Sequence, residues 1–265
     1  MKRETLAVKY SPARVAFLIK NRAYEDLPAL AIGAGIAAGL NLISIVLGGR
    51  AFMNESGGQA WTFAISIAGF LLAGAAFKGM HDGRSGTDWL LLPASGLEKY
   101  SSALIAYLVV YPIAASVAAT ALSALLSLAE LIAGGPGGNI WNPIEAIGVE
   151  SAANYAITAL VLAVGSAAFR KRALIKTIGV GVAYALAAGG LVFLLILLVR
   201  NLRGLPMPEI SAIGDTISIE GDFKFQAPKA VDYILNAAYY ALLPLSALAY
   251  GYFRVAEKEA RDEVQ

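Results

Sequence analysis

Apolar positions in this chain fall in long unbroken runs, not in the alternation of a half-buried strand or the one-sided stripe of a surface helix. Six runs stand out, over residues 27–47, 60–77, 101–132, 152–169, 178–199 and 231–252. Most approach the roughly 20 residues that cross a hydrocarbon core as a helix. The third is too long for a simple crossing and contains Pro112. A steep tilt, an extension beyond the lipid and a break near the proline each account for the excess. The pattern predicts an all-α, polytopic membrane protein, a single transmembrane domain over residues 1–265 with six transmembrane helices.

Between the runs, residues 10–26 open with Ser11-Pro12 in cap and first-turn order. Their mixture of Val15, Phe17, Leu18 and Ile19 with Arg14, Lys20 and Arg22 predicts an interfacial helix, or else a basic lead-in to the first span. Residues 200–230 form an extracytoplasmic loop. In it, short β-prone runs separated by Gly214-Asp215 and Gly221-Asp222 fit a small hairpin, with an irregular linker as the alternative. The Gly- and Pro-rich stretch around GGPGGNIWNP reads as turns.

Composition removes any soluble reading. The chain is 58% hydrophobic and 15% charged, against about 45–50% and 25% in ordinary globular domains. Charge placement then sets orientation. With both termini cytoplasmic, the inner segments hold Lys2, Arg3, Lys9, Arg14, Lys20 and Arg22, then Lys78, Arg84 and Lys99, then Arg170, Lys171, Arg172 and Lys176, then Arg254, Lys258 and Arg261, which is 16 of the 21 basic residues. Trp61 and Trp141 fall at the outer interface, where amphipathic indoles concentrate. The first 26 residues hold neither a signal-peptide core nor a small-residue cleavage site, so the amino terminus is expected to be retained.

Candidate chemistry is sparse. Without cysteine there are no disulfides, thiolate metal sites or cysteine nucleophiles. There is no GxxxxGK[ST] phosphate loop, and the single histidine, His81, reads as an exposed residue of a Gly-rich turn. Ser95 and Ser166 lack a base within the membrane, and no nucleic-acid pattern is present. The chain is therefore not expected to be an enzyme, and no metal site is expected. Formal charge is nearly missing from the spans, Glu130 at the outer edge excepted, which argues against an ion-coupled carrier. Asn41, Asn154, Asn236 and Tyr239 are candidates to line a pathway, interhelical hydrogen bonding being the plainer role for the asparagines. Gly33, Gly35, Gly39, Gly69, Gly74, Gly179, Gly181, Gly189 and Gly190 fit close helix packing, within the chain or at a dimer face.

The stretch from Arg84 to Lys99 is the most structured of the polar segments. Ser85 or Thr87 can cap a short helix, Asp88 suits its positive first turn, and Trp89–Leu92 is an apolar patch. Pro93 ends that helix. Ser95 and Glu98 then have capping-box spacing at the start of the third span. Helix, break, helix is thus expected on the cytoplasmic side, and local capping is all that Pro93, Ser95 and Glu98 need do.

WLLLPASGLEKYSSALI resembles the LP-S-x-x-EK segment of bacterial ABC-2-type permeases, membrane subunits of ABC transporters, at the same place between spans two and three. The resemblance covers about twenty residues, and the six-span plan agrees with it. It implies a type V exporter-like architecture in the bacterial cytoplasmic membrane and a cytoplasmic coupling segment over residues 84–99. Asp88, Trp89, Leu92, Pro93, Ser95, Glu98 and Lys99 would meet an ABC ATP-binding subunit, Glu98 and Lys99 either at the contact or anchoring span three. It also implies a second permease subunit, as a homo- or heterodimer, with ATP and Mg carried by the partner and no cofactor on this chain. A non-transporting membrane scaffold or accessory subunit is the alternative.

Overall fold

The computed structural model describes residues 10–48, 50–55, 58–81, 89, 92–137, 139–203, 209–213, 216–220, 233 and 236–262. Helix α1 runs Pro12–Gly48. The expected surface helix over 10–26 and the span over 27–47 are therefore one helix of 37 residues, with Pro28 inside it. Pro28 removes one backbone hydrogen bond, and the helix continues past it. At 1.5 Å per residue α1 is about 55 Å long, well beyond a hydrocarbon core of about 30 Å.

Helices α2, Phe52–Glu55, and α3, Gln59–Ala75, follow, and α3 leads into a 3₁₀ turn at Lys78–His81. The third span is built as α4, Gly96–Ile105, a π-helical turn, Ala106–Val110, and α5, Tyr111–Ile132. These make one continuous helical stretch of 37 residues. The apolar run over 101–132 thus lies within a helical stretch that begins at Gly96, and Pro112 is accommodated without a break. A proline has no N–H and its ring crowds the carbonyl four residues earlier; the wide turn just before Pro112 relieves both. It also alters the pattern of backbone pairing, and the Tyr155 hydroxyl donates to the Tyr107 carbonyl at 2.9 Å.

Next come α6, Pro143–Ala146, α7, Val149–Ala168, and α8, Ala173–Arg203. Asn142 caps α6 by accepting from the Ile144 N–H. Arg172, with φ of 53°, makes the left-handed turn between α7 and α8. Helix α8 carries Arg200 and Arg203, which the sequence pattern assigned to the loop. Strands β1, Glu209–Ile213, and β2, Thr216–Glu220, pair antiparallel with Ile213 opposite Thr216 and Glu209 opposite Glu220. This is the hairpin expected around Gly214-Asp215, the exception to helix among the described elements. A second π turn, Ala238–Leu242, precedes α9, Leu243–Asp262.

The chain divides into a unit of residues 1–177 and 242–265 and a unit of residues 178–241. In the first, α7 packs between α3 and α9, α9 also meets α4, and α1 lies on α4 and α5. One core cluster includes Phe77, Met80, Trp89, Tyr100, Tyr107, Leu160, Val164 and Val255. Another gathers Ile45, Ala51, Met53, Trp61, Ala119, Leu126 and Trp141 at the opposite end of the bundle. Side chains added at Gly69, Gly74, Gly165 and Gly251 would come closer than 3.0 Å to Tyr155, Leu174, Thr177 and Tyr100 respectively. Those glycines permit close helix approach. Gly33, Gly35 and Gly39 have open space before them instead, so close packing within the chain holds at Gly69 and Gly74 and not in span one.

Among the described residues, four helical stretches are long and apolar enough to cross a membrane: α1, α3 with its 3₁₀ turn, α4 through α5, and α7.

Candidate functional site

The start of α4 is organised by a complete capping box. Ser95 Oγ accepts from the Glu98 N–H at 3.3 Å and Glu98 Oε2 accepts from the Ser95 N–H at 2.8 Å. Glu98 then does more than the spacing predicts. Its Oε1 accepts from the Ser11 N–H at 2.6 Å and from Arg14 Nη2 at 2.8 Å, and Arg14 Nε lies 3.1 and 3.2 Å from the two carboxylate oxygens. The side chain is 0% exposed. One carboxylate thus serves the N-termini of two long helices, α1 and α4, where unpaired backbone N–H groups and the helix dipole both favour negative charge. A buried carboxylate so fully hydrogen-bonded and paired with a guanidinium is held in place as an ion.

Lys99 is 4% exposed, with Nζ 4.5 Å from the centre of the Trp89 ring, itself in the core. Glu98 and Lys99 are thus both packed inside the chain at the start of the third apolar run. Around them Leu92 and Ser95 are half-buried, Pro93 is exposed, and Leu97 is 46% exposed. Asp88 lies outside the described residues.

About two turns further along α1, Arg22 Nη1 donates to the Ala76 carbonyl at 2.8 Å, past the end of α3, and its guanidinium faces the Phe77 and Tyr107 rings. Asp26 accepts from the Tyr107 hydroxyl at 2.9 Å. His81 is not an exposed loop residue: Nε2 is 3.1 Å from both the Ser166 and Ala167 carbonyls, at the end of α7. Both partners are acceptors, so Nε2 carries the proton. Ser166 Oγ accepts from the Phe77 N–H at 3.1 Å.

Above this polar layer lies a cavity of about 550 Å³ between α1, α3, the π turn and α5. Its walls are largely alanine, including Ala34, Ala68, Ala115 and Ala118, with Arg22, Asp26 and Tyr107 at one end and Met53, Trp61 and Leu122 at the other. Tyr111 also lines it, its hydroxyl donating to the Ile65 carbonyl at 3.0 Å. Small side chains on three facing helices leave the space; the lone charged pair marks one end.

The Trp61 end is closed by a second network. Asn54 Oδ1 accepts from Trp61 Nε1 and Ser123 Oγ, Ser123 Oγ accepts from the Trp141 N–H at 2.8 Å, and buried Glu130 accepts from the Ala51 N–H. Asn41 belongs here: it accepts from the Met53 N–H at 2.9 Å and donates to the Ala37 carbonyl at 2.7 Å. It does not line the cavity. Neither does half-buried Asn154 of α7, while Asn236 and Tyr239 are exposed in the unit of residues 178–241, Tyr239 edge-on to Tyr240. Asn41 and Asn154 belong to the first unit, Asn236 and Tyr239 to the second. The residues that sequence reasoning missed, Arg22 and Asp26, carried a signal in their i,i+4 spacing at the edge of an apolar run.

Comparison with protein-family models, curated proteins and solved structures gave no match.

Proposed function

We propose that this chain is the membrane-spanning permease subunit of an ABC transporter of the ABC-2 type, probing outward from the cytoplasmic membrane of a bacterium as an exporter. In this reading it has six spans, with both termini and the Glu98 end of the bundle on the cytoplasmic side. A separate subunit supplies ATP binding, Mg and hydrolysis, and a second permease subunit completes the pathway. The observation that carries the reading is Glu98. Through it, the exposed turn at Pro93 and Leu97 is tied both to α4 and, 84 residues away, to Arg14 at the start of α1. A load applied to that turn moves two long helices together, which is what a coupling element between a motor and a membrane bundle requires. The contact with the motor then falls on Pro93 and Leu97, with Glu98 and Lys99 transmitting from beneath.

Purification of the tagged chain from its native membrane in mild detergent tests this. A co-purifying ATPase with a phosphate loop is expected, and Leu97→Asp removes it while the permease still elutes as a monodisperse species. A preparation with neither a nucleotide-binding chain nor ATP hydrolysis overturns the proposal. The buried networks at both ends of the bundle favour a second reading, a static scaffold. Such a protein would hold an ATPase without substrate-stimulated turnover.

A further inference from the structure

The alanine-lined cavity combines three features that together describe a ligand. It is apolar along its length, it carries its charged groups at one end, and it is long. Along α1 it reaches from Arg22 to Ala37, about 22 Å at 1.5 Å per residue. One leaflet of a bilayer is about 15 Å of hydrocarbon, so an acyl chain entering at the Arg22 end fits within it fully extended. The volume of about 550 Å³ lies in the range of small-molecule sites.

The charged end has hydrogen-bonding capacity to spare. The Arg22 guanidinium donates to the Ala76 carbonyl, shares a side-chain hydrogen bond with Tyr107 and is attracted by the Asp26 carboxylate, without forming an ion pair among the described residues. Asp26, one turn on, is engaged by the Tyr107 hydroxyl instead. A guanidinium offers five N–H groups, and those remaining suit an anionic oxygen cluster, with geometric preference for carboxylate or phosphate. The flat faces of Phe77 and Tyr107 hold the guanidinium from the side.

From this geometry we infer that the cavity binds an anionic amphiphile, its carboxylate or phosphate head on Arg22 and its acyl chain along the alanine walls between α1, α3 and α5. The binding needs no motor and stands apart from the transport reading; if both hold, this amphiphile class is the cargo or a resident lipid of the permease. Gly33 lies in the same wall with open space before it, and Ala68 lines the cavity from the facing helix.

The test uses the full-length protein in nanodiscs of zwitterionic lipid with a diazirine-bearing palmitic acid, and in parallel the corresponding fatty alcohol. After photolysis, adducts of the acid are expected on peptides covering residues 29–37, 64–72 and 114–122. Ala68→Phe and Ala115→Phe, which fill the cavity, lower adducts of both probes on those peptides. Arg22→Gln lowers labelling by the acid about tenfold, the loss of one charge-assisted interaction, and leaves the alcohol unchanged; Arg22→Lys retains most of the acid labelling. Circular dichroism and gel filtration establish that each variant is folded, and if Ala68→Phe is not, Ala115→Phe carries the comparison. Labelling spread equally over outward residues beyond those peptides, such as Ile113, Leu125 and Leu128, and insensitive to the filling variants overturns the site. Equal losses of acid and alcohol in Arg22→Gln overturn the assignment of the head group. If inorganic phosphate alone displaces the acid, the site recognises a free anion and the amphiphile is excluded.

Discussion

Helices α1 and α7 are both apolar enough to cross a membrane, yet they are used in opposite ways. In α7 half of the most apolar window is buried inside the chain, 50%, against 11% in α1. Helix α7 sits between α3 and α9 and contributes Ala159, Leu160, Ala163, Val164 and Ala167 to the core. Helix α1 is instead pinned at its two ends, by Ser11 and Arg14 on Glu98 and by Asn41 and Ile45 against the Met53 region. Between the pins, it borders the cavity. In water such a helix would be unstable; in lipid there is no hydrophobic drive to close the gap, and polar contacts at the ends are enough to hold it. What separates the two helices is where their contacts are, not how apolar the segment is.

The contrast can be broken by substitution, each variant followed by denaturant titration of the detergent-solubilised protein. Removing the pin of α1 has the largest expected effect. Glu98→Ala strips the partners of Ser11, Arg14 and Ser95 at once and should cost about 3 kcal/mol, at the lower end for a disrupted buried pair because Arg14 retains some solvent. Overfilling the α7 interface comes next. Gly165→Val forces a side chain onto Thr177 and should cost about 2 kcal/mol. At the opposite end, Ser123→Ala leaves the buried Trp141 N–H without its acceptor, for about 1–2 kcal/mol. Gly33→Ala, on the open face of α1, should change stability by less than about 1 kcal/mol and toward greater stability, since only helix propensity is altered. A large loss at Gly33 would mean that α1 is packed against something, and the comparison with α7 would fail.

Much of the helical frame was legible in the sequence, because the features that specify it are local. A run of apolar residues, a Ser95–Glu98 box and a Gly-Asp pair between β-prone runs act through hydrogen bonds that close within a few residues. The long-range roles of the same residues were not legible. Glu98 was readable as a cap for α4; nothing in its neighbourhood indicates that it also receives Ser11, 87 residues earlier. His81, in a Gly-rich turn, looked exposed because its acceptors are carbonyls 85 and 86 residues away. The candidate site suffered most. Asparagines within apolar runs were plausible pathway residues, yet Asn41 is consumed by backbone groups, whereas the cavity is defined by alanines, which carry no distinguishing chemistry in a sequence.

The sequence by itself determined which segments are apolar enough to enter lipid, where basic residues bias the chain, and where α4 begins, since hydropathy, charge and capping belong to single segments. Only the tertiary structure decided that residues 12–48 form one helix, that Pro112 is absorbed by a π turn backed by Tyr155, that one buried carboxylate joins two helix N-termini, and that a cavity lies between α1, α3 and α5. Each of those depends on which surfaces meet, and small side chains on three helices make a cavity only once those helices are set face to face.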